Sequence, residues 1–294
     1  MPPVSVDEQL QREAAGRRMA VIGAALGALL PLAGVVAVTL IRRDDDSNEL
    51  TGQLLFQHEH AIALTLAAIL QAAGALFIAL ALRHLYIATK ARRPELPRVA
   101  LICAVAGPIV LFAAQVAVAL LVSDKADQFA STGNQTRPEG RELLDSGDLR
   151  IAQIGLLAGT LAFGFAFVMI SLNAMRVGLL SRFMGILGVI VGVLTVIPVG
   201  GPLPIVQTFW LGAIAVLFAG RWPQGMPPAW STGRAEPWPS QQELRERRQR
   251  ARGGADEDEA PLDEEGRDAV AAGDLDPQAG HHPSSKKRKR KKRR

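Results

Sequence analysis

The sequence predicts an all-α membrane protein, a polytopic bundle of six transmembrane helices followed by a disordered, charged C-terminal tail. Three observations lead there. Residues 19–220 are dominated by Ala, Leu, Val, Ile and Gly, whereas residues 221–294 are rich in charge and nearly devoid of large aliphatics. A single compact domain has no reason to segregate in that way. Short charged connections cut the apolar part into runs, most of which are long enough to cross about 30 Å of hydrocarbon at roughly 1.5 Å per helical residue. Finally, aromatic residues make up only 5% of the chain, so the bundle must be built from small and aliphatic side chains in close contact.

Residues 1–18 form a polar segment in which Ser5 and Glu8 fit the capping-box pattern S-x-x-E, predicting a short helix that leads into the membrane. The first span, 19–41, is 23 residues long with Thr39 as its polar member. It exceeds the roughly 7–15 apolar residues of a signal peptide and therefore reads as a retained anchor. Spans follow at 61–82, 99–122 and 151–172. The stretches 183–197 and 203–220 are shorter, at 15 and 18 residues. Between them Pro-Val-Gly-Gly-Pro-Leu-Pro forces a turn, because proline cannot continue a helix and glycine accepts positive φ. The pair forms two short spans or one hairpin dipping into the bilayer, and either returns the chain to the side it left. Gly23 with Gly27, Gly155 with Gly159 and Gly188 with Gly192 have the spacing that lets helix backbones approach closely, while Pro31 and Pro108 predict kinks inside spans. Cys103, the single cysteine, reads as a small apolar side chain.

Orientation follows from Lys and Arg, which favour the cytoplasmic side. With the N-terminus inside, the inner connections hold ten of them and the outer ones six, and adding the tail makes the division 27 against six. The expected placement is a multi-pass protein of the inner (plasma) membrane with both termini cytoplasmic.

Polar groups within spans are costly and mark sites. Gln71, Gln115, Gln153 and Gln207 stand in four different spans, and three of them, Gln115, Gln153 and Gln207, fall toward the outer side. They would line an outward-facing polar seam, or else bond neighbouring helices and hold the bundle together. His58, Glu59 and His60 stand at the outer entrance of the second span. Histidines two positions apart on a helix point about 200° from one another, so they do not form a metal site by themselves. Glu59 and His60 are the candidates for binding a proton or cation, with His60 and Gln71 on one helical face that also carries Ala63, Ala67 and Gly74. Nucleotide-binding loops, the G-x-S-x-G elbow and cysteine-based metal spacings do not occur, so neither a cofactor nor a metal is implied. Asn134-Gln135-Thr136 matches a glycosylation sequon.

Residues 221–252 form a juxtamembrane segment in which Trp222, Trp230 and Trp238 recur among prolines, suited to the inner membrane surface, and then a short basic helix from Ser240. Residues 253–294 are expected to be disordered: ten carboxylates fall within 256–276, and the chain closes on Lys286, Lys287, Arg288, Lys289, Arg290, Lys291, Lys292, Arg293 and Arg294. Those nine cations are expected to contact anionic lipid headgroups or ribosomal RNA.

Tyr-Ile-Ala-Thr-Lys-Ala-Arg-Arg-Pro-Glu at 86–95, the glycine-rich fifth span after Gly178-Leu-Leu, and Gly-Arg-Trp-Pro with Pro-Pro-Ala-Trp after the sixth resemble a family of uncharacterised bacterial multi-span integral membrane proteins. The resemblance covers most of residues 50–240. It implies the multi-span fold and no activity. The function expected is that of a non-enzymatic membrane anchor or interaction protein with a cytoplasmic polybasic tail, and the alternative is a small-solute or proton-coupled carrier or sensor using the polar seam.

Overall fold

The computed structural model describes residues 5–44, 49–197, 204–223 and 225–237. The basic helix expected from Ser240 and the polybasic run lie outside the described residues. Among the described residues every regular element is helical: α1 (Val6–Ile41), a 3-10 turn (Arg42–Asp44), α2 (Leu50–Glu59), α3 (Ala61–Arg92), α4 (Arg98–Ser131), α5 (Arg137–Leu144), α6 (Gly147–Arg176), α7 (Arg182–Val196), α8 (Ile205–Phe218) and the short α9 (Pro228–Thr232). Four of these, α1, α3, α4 and α6, are long and apolar enough to cross a membrane. At 15 and 14 residues, α7 and α8 are apolar but extend only about 21–22 Å.

The helices overrun the apolar runs read from the sequence. The polar N-terminal helix and the first span are one continuous α1, capped where Ser5 Oγ accepts from Glu8 N at 3.3 Å. Glu8 spends its carboxylate on Arg12 at 2.5 Å instead of completing the capping box. Likewise α3 runs ten residues past Leu82 to Arg92, and α4 runs nine past Val122 to Ser131. Hydropathy marks the length a helix can leave in lipid, whereas charged residues such as Lys90 and Arg92 are good helix formers that carry the same helix onward. Two helices, α2 and α5, fill connections that the sequence reading left without structure, and they cover the far end of α4 through Leu54, Ala126 and Phe129.

Consecutive apolar helices pack antiparallel, and α8 returns against α1 to close a ring in the order α1, α3, α4, α6, α7, α8. The tightest seam joins α1 to α3. There the Pro31 ring lies directly over Gly74, where any side chain would overlap it, and a Cβ on Gly34 would come within 2.7 Å of Gln71. In lipid, apolar burial against a neighbour gains little over burial in hydrocarbon, so fit of this kind decides which helices pair. The remaining outer faces stay apolar: Leu29, Leu40, Ile62, Leu66, Ile102 and Ile154 are all exposed, Ile62 at 79%. On a soluble chain such a belt would be a liability; around a bundle in lipid it is the solvent-facing surface.

One end of the ring gathers the start of α1, the α3–α4 and α6–α7 turns and residues 219–237, and is called the terminal end below; the other is the distal end. The core is concentrated toward the terminal end, where Ile78, Leu82, Leu85, Phe167, Ile170 and Trp210 are fully buried. Trp210 fixes α8 to α7 by donating Nε1–H to Met184 O at 2.9 Å and meets Phe167 edge-on, with ring centroids 5.4 Å apart.

Candidate functional site

At the distal end the ring opens into a cavity of about 660 Å³, walled by α1, α2, α3, α4, α6 and α7. Its size falls within the range of small-molecule sites, about 300–1,000 Å³. The wall is largely apolar, from Leu64, Leu111, Val118 and Leu156, with Gln57, Gln115, Gln153, Thr160, Thr195 and Arg42 supplying the polar groups. Both threonines hydrogen-bond back to their own helices, Thr160 to Leu156 O at 2.7 Å and Thr195 to Val191 O at 2.8 Å. Gln57 donates to Ser123 Oγ at 3.4 Å, and Ser123 meets Thr65 Oγ1 at 3.0 Å. The side-chain amides of Gln115 and Gln153 make no hydrogen bond to another described residue, which leaves two donor–acceptor groups turned to whatever fills the space.

The structure thus brings together part of the expected polar seam and separates it from the titratable cluster. Gln115 and Gln153 line the cavity with Thr160; Gln207 does not. Gln71 also falls outside it, because its face of α3 is pressed against Gly34 of α1. Glu59 is exposed at the last position of α2 and reaches neither the cavity nor a described partner. His60 is where α2 stops and α3 starts, with φ −110° and ψ 18°, while the backbone hydrogen bonds run on through it, from His60 N–H to Phe56 O at 3.1 Å and from Leu64 N–H to His60 O at 3.0 Å. Its ring stacks on Phe56, centroids 4.2 Å apart. His58 faces Asp127 with Nδ1 at 3.2 Å from Oδ1. Among the described residues no three His, Cys, Asp or Glu side chains converge as metal ligands.

A second polar centre, at the terminal end, was not foreseen. Arg92, with a side chain fully removed from solvent, reaches Glu13 of α1: Nη1 to Oε1 at 2.6 Å and Nη2 to Oε2 at 3.1 Å. It also donates to Ala88 O at 2.8 Å and, through Nε at 3.0 Å and Nη2 at 2.7 Å, to Ala229 O. All five guanidinium N–H groups are thereby used. The same region holds residues 225–237 against the bundle: Trp230 Nε1–H donates to Leu179 O at 3.0 Å, Gln9 Nε2 to Gly233 O at 3.2 Å, and Glu236 N–H to Val177 O at 3.1 Å. Trp230 is therefore packed into the bundle, not spread along a membrane surface, because its indole finds both an apolar neighbour in Phe218 and an acceptor in the α6–α7 turn.

No family model, curated protein or solved structure matches this chain. The two centres consequently stand on their own geometry. The only sequence signals for the terminal one are a carboxylate before the first apolar run and arginines after the second, neither of which identifies a partner. The nine cations from Lys286 to Arg294 lie outside the described residues.

Proposed function

We propose that this chain is a non-enzymatic membrane protein of six crossing segments, both termini cytoplasmic, whose distal cavity receives a small polar solute from the outer side. The observation that carries the reading is the pair of amides, Gln115 and Gln153, turned into a cavity of about 660 Å³ in an otherwise apolar wall. Amides left without protein partners at membrane depth are expensive, and water or a polar solute relieves that cost. The polar groups that turn into the space are these two amides, so the chemistry favours a solute that both donates and accepts hydrogen bonds. Neither Glu59 nor His60 lines the cavity, which favours a carrier or sensor of a polar solute over an anchor or a proton-coupled site.

The test is access to the cavity. With Cys103→Ser as background, Thr160→Cys is expected to react with a small water-soluble thiol reagent within about tenfold of the rate at an exposed Ser131→Cys, a ratio equal to about 1.4 kcal/mol of access cost. Protection of Thr160→Cys as complete as that of Ala166→Cys, which replaces a fully buried residue, would show the space to be closed or filled with lipid and would defeat the reading.

A further inference from the structure

The terminal end contains a second, more enclosed cavity of about 290 Å³. Leu10, Leu217, Phe218, Met226 and Trp230 give it apolar walls; Glu13, Arg17, His84 and Ser231 are its polar members. Two of these four are already engaged. Both oxygens of Glu13 are held by Arg92, and the Ser231 hydroxyl donates to Pro228 O at 2.9 Å. Arg17 is engaged only through Nε, and His84 not at all. Arg17 spends Nε on Phe218 O, and its terminal N–H groups lie over Gly220, whose φ of +73° and missing side chain make room for the guanidinium. His84 is only 7% exposed, yet neither ring nitrogen has a hydrogen-bond partner among the described residues. Its ring is fixed edge-on to Phe218 with centroids 5.0 Å apart and parallel to Trp230 at 6.0 Å.

Formal charge at this place is simple to reckon. Glu13 and Arg92 cancel, leaving Arg17 as the uncompensated cation and His84 as a neutral donor beside it. That combination recognises an oxyanion. A groove on the outer surface says where the anion comes from. Arg17 also lines a furrow between α1 and α8 together with Arg18, Val21, Ile22 and Ala219. Ile22 there is 46% exposed, on the apolar belt of the bundle. An anion that reaches Arg17 along this furrow has an apolar chain to lay beside Val21 and Ile22.

We propose that the terminal cavity and the furrow together form a binding site for one anionic membrane lipid, its phosphate held by Arg17 and His84 and an acyl chain lying between α1 and α8. Basic pockets between membrane helices at the cytoplasmic face take lipid headgroups on the same principle. The site depends on the bundle lying in a membrane; it is independent of what the distal cavity binds.

The experiment is native mass spectrometry of the full-length chain, released from detergent in ammonium acetate of about 0.3 M. At that ionic strength attraction between charges in open solvent is screened beyond about 5–6 Å, so retention of a lipid reports direct contact. With dioleoyl phosphatidylglycerol, one retained lipid per chain is expected, and dioleoyl phosphatidylcholine is expected to bind at least about tenfold more weakly. Arg17→Gln should weaken phosphatidylglycerol binding by roughly tenfold or more. Ala14→Trp fills the cavity while preserving every charge, so it should have a similar effect and decides the matter if Arg17→Gln does not fold. Arg43→Gln, at the opposite end, should change nothing. Undiminished phosphatidylglycerol binding by Ala14→Trp, equal retention of phosphatidylcholine, or thermal stabilisation by inorganic phosphate as large as by phosphatidylglycerol would overturn the proposal, the last by reducing the site to one for a free oxyanion.

Discussion

Replacing Glu13 by alanine strips the counter-charge from Arg92 and leaves a guanidinium with a fully buried side chain holding only the carbonyl oxygens of Ala88 and Ala229. Removing one partner of a buried ion pair costs about 3–5 kcal/mol, most of it the penalty of the charge left behind. At about 2–4 °C per kcal/mol for a chain of this size, the unfolding midpoint should fall by roughly 10 °C. Thermal unfolding of the purified protein in detergent, followed by tryptophan emission, reads the effect close to its source, because Arg92 Cζ lies 5.7 Å from the centre of the Trp230 ring. Two companions make the measurement specific. Glu8→Gln breaks the Arg12–Glu8 pair, whose side chains are 64% and 51% exposed, and should cost less than about 1 kcal/mol. Glu13→Leu combined with Arg92→Met removes both charges and should recover most of the loss, as apolar replacements of buried pairs do. A Glu13→Ala effect no larger than that of Glu8→Gln, or a double variant no better than the single one, would refute the view that this pair is a desolvated clasp.

Other consequences are open to direct measurement. Gly74→Val places a branched side chain in the Pro31 ring and should destabilise by about 1–3 kcal/mol or prevent folding, whereas Gly212→Ala meets nothing within 4 Å and should be neutral or gain up to about 1 kcal/mol of helix propensity. In the Cys103→Ser background, a cysteine at the exposed Ser131 should react with an impermeant thiol reagent in intact cells while one at Ser284 stays protected; the opposite pattern would reverse the orientation. A peptide of residues 239–294 should bind anionic vesicles or ribosomes at low salt and lose most of that affinity by about 0.3 M salt and on removal of residues 286–294; equal binding by the shortened peptide would assign the contact elsewhere.

The helical class and the four long crossings were legible because hydropathy is a property of composition over some twenty residues, which needs no knowledge of partners. Glycine and proline were half legible. The spacing of Gly23 with Gly27 announced a close approach, but that Pro31 would nest over Gly74 depends on the register between α1 and α3, which nothing local encodes. The same limit explains the polar groups. Gln115 and Gln153 line one cavity, whereas Gln207, read at the same depth, does not and Gln71 faces α1, since depth along a span is readable and azimuth around a ring is not. For His60 the missing information was local contact: its ring lies on Phe56 of α2, which spacing from Gln71 does not reveal. The Glu13–Arg92 pair joins residues that flank separate spans, so each looked like an ordinary interfacial charge.

The terminal clasp joins the beginning of the chain to a segment more than two hundred residues later: Gln9 to Gly233, and Glu13 through Arg92 to Ala229. The Glu13–Arg92 pair needs only α1 and α3, but the bonds to Ala229 and Gly233 wait until all six apolar helices have been synthesised, so contacts of the longest sequence separation come last. Before then Arg92 has lost two of its acceptor contacts and the α6–α7 turn lacks its indole donor. A chain that ends after α8 therefore lacks the Ala229 acceptor for Arg92 and the Trp230 donor for Leu179 O, and the short Pro-Pro-Ala-Trp segment supplies both. The five-residue α9 thus acts as a latch, holding the start of α1, the end of α3 and the α6–α7 turn to one short segment.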